Sequence, residues 1–188
     1  MTYYGVKNLA ASFRQVRANT IQAAQDIPEQ QYGFKAAPDA RSVAQLLTHI
    51  AFGPGFQVHV HTNGVTDLKQ VNFTELVQKN AAEEARSRTK AELLELLKTE
   101  GERFATYVEG LTDDFLGQPV AMPPGANPTH KSRFEMLLSP KEHEMHHRGQ
   151  LMLLQRMVGV VPHLTRQMQE RMAARAAAAA AAGAGQPR

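Results

Sequence analysis

The chain has 188 residues, a net charge of +3, 43% hydrophobic and 21% charged residues, and no cysteine. This length predicts one globular domain that buries roughly 70% of its unfolded surface, and the missing thiols exclude a disulfide scaffold, a thiolate metal site and a cysteine nucleophile. The basic excess is mild, and Lys and Arg are neither clustered on one face nor interleaved with aromatics, so no nucleic-acid partner is expected.

The opening stretch "MTYYGVKNLAASFRQVRANT" is polar. It lacks the apolar core of a secretory signal, and no apolar run further on reaches the ~18 residues of a membrane span, so a cytoplasmic location without a membrane partner is expected. From Val6 to Asp26, apolar residues recur every three or four positions at Leu9, Phe13, Val16, Ile21 and Ala24. That is the period of an amphipathic helix, and Pro28 ends it. After the loop "EQQYGFKAAPDAR", Ser42 is placed to cap a second helix, "VAQLLTHIAFGPGFQVHVH". Gly53, Pro54 and Gly55 interrupt that helix. The segment from Asn72 to Leu111 predicts helix in two pieces, the second capped by Thr89, with Leu93, Leu96, Leu97, Phe104, Tyr107 and Val108 facing inward. "GQPVAMPPGANPTH" reads as a loop from Gly117 to His130. A last long helix starts at Arg133 or Ser139, runs to Val158, and is ended by Gly159 and Pro162.

The pattern shows neither a run of strands nor an internal repeat. It predicts an all-α four-helix bundle with long connections over residues 1–165. The segment 166–188 is alanine-rich and low in complexity, and it is expected to be helical and then disordered from Gly183.

The chemistry concentrates in "KEHEMHHRGQ", Lys141 to Gln150. His143 and His147 are one helical turn apart and share a face, whereas His146 projects about 100° away from His147. Upstream, His49 sits between Leu46, Leu47, Ile50 and Ala51, where an imidazole without a partner would be costly to bury. Three inward histidines form a set of three nitrogen ligands and leave a fourth position for water or substrate, as catalytic sites do. Gln150, three past His147, and Gln45, four before His49, are candidates to contact ligands or substrate, with Phe52 as an apolar wall. Arg148 is assigned either to a pairing with Glu144 or Glu135 or to a solvated charge. His59, His61, His130 and His163 are read as surface or loop residues.

His143-Glu144-Met145-His146-His147 also fits the H-E-x-x-H pattern of zinc peptidases, with Glu144 as the base. The downstream glycine and third histidine of the extended form are absent, since Gln150 and Leu153 stand there. A ferritin-like di-iron centre needs two Glu-x-x-His runs, and only Glu144 with His147 fits.

"RSVAQLLTHIA" followed by "KEHEMHHRGQLMLLQRMVG" closely resembles the DinB-like (DinB/YfiT-like) family of metal-dependent enzymes, over Tyr4 to Pro162. The resemblance implies a four-helix bundle with a divalent metal on His49, His143 and His147. Related members include bacillithiol S-transferases and mycothiol-dependent maleylpyruvate isomerases. The expectation is therefore a metal-dependent enzyme, with zinc or nickel bound and a low-molecular-weight thiol as a further cofactor. Thiol S-transfer or hydrolysis of a small-molecule substrate is expected, in a homodimer. The alternative is a non-catalytic protein whose ion only closes the bundle.

Overall fold

Periodic apolar faces and explicit caps set the helices. The computed structural model describes residues 4–184. It contains α1 (Val6–Asp26), α2 (Val43–Phe52), α3 (Gly55–Thr62), α4 (Phe73–Ala85), α5 (Lys90–Glu109), α6 (Asp113–Gly117), α7 (Arg133–Met157) and α8 (His163–Ala184). Ser42, Thr89 and Ser132 each accept the N–H three residues on, while Gln45, Glu92 and Glu135 reach back to the cap's own N–H. α2, α5 and α7 thus begin in reciprocal capping boxes that satisfy backbone donors the helix leaves open. The box at Ser132 places the start of α7 at Arg133, so Pro140 lies inside the helix at the cost of one backbone hydrogen bond.

α1 packs on α5 and α7, and α2 packs on α5, α7 and α4, which closes a four-helix bundle. Among the described residues no helix is long and apolar enough to cross a membrane. One apolar cluster joins Leu46, Leu47 and Ile50 of α2 to Leu93, Leu97, Leu151 and Leu154. A second joins Leu9, Phe13, Phe104, Val108 and Leu137. Arg17 runs between helices in the bundle interior, where its Nη1 donates to the Leu97 carbonyl (2.6 Å), its Nη2 to the Ile50 carbonyl (3.2 Å), and its Nε to Glu144 (2.9 Å). One guidinium from α1 therefore ties α2, α5 and α7. Gly101 makes room for it, since a Cβ there would lie 2.8 Å from Arg17 Cγ.

Three expectations are corrected. The segment Gly117–His130 is not all loop, because β1 (Pro119–Ala121) pairs antiparallel with β2 (His130–Ser132), with Pro119 opposite Ser132. His61 is buried, with Nδ1 accepting from Arg133 Nη1 at 2.9 Å, and His163 is buried beside Asn19. His59 and His130 are exposed. Helix α8 continues through Gly183 and Ala184, and residues 185–188 of the stretch expected to be disordered lie outside the described residues.

Candidate metal centre

The capping box at Ser42 fixes the phase of α2, and the apolar face of Leu46, Leu47 and Ile50 turns inward. His49 is left at the border of the bundle, facing α7. On α7, Leu151 and Leu154 enter the same core and set the phase that brings His143 and His147 opposite His49. His49 Nε2 stands 3.0 Å from His143 Nε2 and 3.1 Å from His147 Nε2. The ligand atoms of all three residues lie within 4.8 Å of one another. Close approach of the two helices depends on Gly53, where a Cβ would meet His143 Nδ1 at 2.8 Å.

The outer nitrogens explain the orientation. His49 Nδ1 donates to Glu84 Oε1 at 2.7 Å, and His147 Nδ1 donates to Gln150 Oε1 at 2.8 Å. Both partners are acceptors, so both Nδ1 atoms carry a proton, and in the neutral form of each ring Nε2 presents its lone pair. His143 Nδ1 is buried without a hydrogen-bond partner among the described residues. Burial, and then the neighbouring imidazoles, push His143 down to about 4, so it is neutral at pH 7. Burial also lowers His147, with the Gln150 contact opposing. Neutral imidazole is the form that binds metals. Lone pairs converging about 3 Å apart repel one another unless a proton or a cation sits between them. This donor set fits a divalent ion that takes imidazole nitrogen readily.

Glu84 sits near the end of α4 with 15% of its side chain exposed, and it also accepts from Arg41 Nε at 2.7 Å. Burial raises its pKa, but the hydrogen bonds from Arg41 and then His49 outweigh that and hold it below the usual carboxylate range. Glu84, Arg41, Lys35, Gln45, Gln150 and Leu153 line a cleft of about 620 Å³ that none of the three histidines lines and that adjoins them through Glu84 and Gln150, the partners of His49 and His147.

The remaining candidates divide. Gln45 lines the cleft, with its Oε1 engaged by the Ser42 N–H. Gln150 bridges His147 and the exposed His146, whose Nε2 lies 3.2 Å from Gln150 Nε2. Phe52 does not line the cleft and instead lies under the Arg88 guanidinium, 6.0 Å away. Arg148 turns away from the cleft toward α1, with Nη1 3.4 Å from the Val16 carbonyl. Neither expected carboxylate is its hydrogen-bond partner, because Glu144 is taken by Arg17 and Glu135 by the Ser132 cap. Glu144 is 1% exposed and points into the bundle, so it cannot serve as a peptidase base beside the histidines. Glu84 and Arg41 were not legible in the sequence. "AAEEAR" has the composition of a solvated helix face, and nothing in it points 35 residues back to His49.

The four-helix bundle thus turns three imidazoles from two helices onto one point, a group that could hold a metal ion. The DinB superfamily model matches residues 12–151, which include all three histidines, Glu84 and Gln150, and the chain belongs to that superfamily. Among solved structures it is similar to YfiT from Bacillus subtilis, described as a probable metal-dependent hydrolase with an unusual four-helix bundle topology. The TM-score is 0.64 at 15% identity, covering 85% of this chain and 91% of that one. It is also similar to YjoA, a DinB-like protein of the same organism, with a TM-score of 0.58 at 24% identity, covering 80% and 91%. At these identities the likeness carries the fold. No curated protein matches.

Proposed function

We propose that this protein is a metal-dependent enzyme in which His49, His143 and His147 hold a divalent cation through their Nε2 atoms and the adjoining cleft receives a small-molecule substrate. The observation that carries the proposal is the convergence of three Nε2 atoms whose outer partners, at His49 and His147, are acceptors, beside a cleft of about 620 Å³. Three protein ligands leave a coordination position open, which favours an enzyme over an ion that merely closes the bundle. A bound cation would lower the pKa of a water or thiol and supply a nucleophile near neutral pH. The reaction classes proposed are hydrolysis and thiol S-transfer. Glu84 and Gln150 hold the imidazoles, and the edges of the core residues Leu46 and Leu154 form the apolar part of the cleft wall. The unit proposed to act is the bundle, residues 1–165, a boundary that falls within α8, whose Arg166 still pairs with Asp26 of α1 at 2.8 Å. Exposed Met145, Leu153 and Met157 at four- and eight-residue spacings on α7 support the proposed homodimer.

The test begins with metal analysis of the purified protein. An ion at 100-fold its dissociation constant adds about 2.7 kcal/mol of stability. Chelation should therefore lower the Tm of wild type and leave His143→Ala unmoved. Zinc- and nickel-loaded protein is then screened against esters, amides, and pairs of small thiols with electrophiles. Turnover that disappears on chelation and in His147→Ala supports the enzyme, and a loaded, folded protein inert to every substrate argues for the non-catalytic alternative.

A further inference from the structure

Helix α4 is attached to the bundle differently from its neighbours. It has no fully buried residue, and Val77 and Phe73 are 65% and 40% exposed. At its start it is held by Phe73 stacked on Phe56 (5.3 Å) and by Leu76 against the Val60 and Val71 cluster. At its end the hold is polar. In the following turn Glu83 pairs with Arg88, whose guanidinium lies 6.0 Å from the Phe52 ring, and the direct side-chain bonds from this end run from Glu84 to His49 of α2 and to Arg41 just before it. Glu84 also forms part of the cleft wall.

We propose that Glu84 is a positioning residue that couples occupancy of the histidine centre to the docking of α4 along the cleft. The inference rests on the metal reading given above. His49 uses its two ring nitrogens in opposite directions, with Nε2 toward His143 and His147 and Nδ1 toward Glu84 at 2.7 Å. A divalent cation on Nε2 draws electron density from the ring and makes Nδ1–H a stronger donor to the carboxylate. Loading the centre therefore tightens the bond that holds the end of α4. Linkage makes the effect reciprocal, so a docked Glu84 strengthens cation binding by the same factor that the cation strengthens docking. Arg41 holds the carboxylate from the other side, with Nε donating to Oε2 at 2.7 Å and Nη2 reaching Oε1, the oxygen shared with His49, at 3.3 Å.

The experiment combines zinc titration with hydrogen exchange of wild type, Glu84→Ala and Glu84→Gln. In wild type, zinc should slow amide exchange in the second half of α4, residues 80–85, by about 5-fold or more, the lower end of ordinary coupling. In Glu84→Ala that difference should vanish, and the zinc Kd should weaken by about 10- to 100-fold. Glu84→Gln retains an acceptor oxygen for Nδ1–H and should fall between the two, which a purely structural role for α4 would not produce. Unchanged zinc affinity in Glu84→Ala overturns the proposal, as does α4 exchange indifferent to zinc in wild type that binds it. Wild type that binds no zinc through His143 overturns the metal reading, and this inference with it.

Discussion

Two polar groups occupy one turn of α7 and are treated in opposite ways. Toward α1, Glu144 is 1% exposed and its carboxylate accepts from Arg17, whose remaining N–H groups end on the Leu97 and Ile50 carbonyls. Toward α2, His143 and His147 bring Nε2 atoms to within about 3 Å of His49 Nε2, and His143 Nδ1 has no partner at all among the described residues. The first group is closed, since each charge finds its complement inside the protein. The second is open, since its three Nε2 atoms face only one another and His143 Nδ1 faces nothing that can bond it among the described residues. Buried polar groups are normally satisfied. Three imidazole nitrogens that find only one another, with a neighbouring buried nitrogen unpartnered, therefore point to an external partner, and a fully paired charge marks where the fold holds itself.

The largest effect should come from opening the closed group. Glu144→Ala leaves the Arg17 guanidinium buried without its counter-charge, and breaking a buried pair in this way costs about 3–5 kcal/mol. His143→Ala, one residue away, should cost far less in chelated protein, because it removes a nitrogen that already lacks a partner. Thermal or urea unfolding of both variants in chelator checks the contrast. Equal losses would break it.

How far the sequence shows this contrast depends on distance along the chain. Local signals are legible. The 3.6-residue period, the caps at Ser42 and Thr89 and the break at Gly53–Pro54 each mark a feature found in the bundle. The i, i+4 pair His143 and His147 shares a face for the same local reason. What Glu144 does is not local, because its partner Arg17 lies 127 residues away on a helix whose inward face otherwise reads as apolar. Arg148 shows the same limit, since its hydrogen bond runs to the Val16 carbonyl of α1 while nearby Glu144 acts on it only through its charge. The three-residue strands Pro119–Ala121 and His130–Ser132 are too short to show alternation, so their loop-like composition dominates. The burial of His61 is not legible either, because the break before α3 hides the face it presents to Arg133.

His61 lies between the two extremes and gives the next effect in size. Its Nδ1 accepts from Arg133, while its buried Nε2 has no partner among the described residues. Burial, and then the Arg133 charge, lower it to about 4. An unfolded histidine takes its proton near pH 6.5. Between pH 6.5 and about 4 the unfolded chain therefore binds a proton that the folded chain refuses. The stability contributed by a neutral His61 is complete above pH 6.5 and falls as pH drops through that window, by up to roughly 3 kcal/mol. His61→Asn should flatten that part of the acid limb relative to wild type, with chelator present in both. An unchanged limb would mean that protonated His61 finds a partner when the fold loosens.

The smallest effect tests how the open group is kept open. Gln150 Oε1 accepts from His147 Nδ1 at 2.8 Å and fixes the tautomer that leaves Nε2 free. Removing such an outer partner weakens cation binding by about 10-fold or more, or about 1.4 kcal/mol. Gln150→Ala should accordingly raise the zinc Kd by about 10-fold, the lower end of that range, because a neutral amide is a weaker acceptor than the carboxylate at His49. Gln150→Glu supplies that carboxylate to His147 as well, and its Kd should be no weaker than wild type. Isothermal titration of the two variants reads both. If alanine leaves the Kd unchanged, the His147 tautomer is set without Gln150. If glutamate weakens it as much as alanine does, the amide group that faces His146 at 3.2 Å, and not the oxygen that faces His147, is what this position contributes.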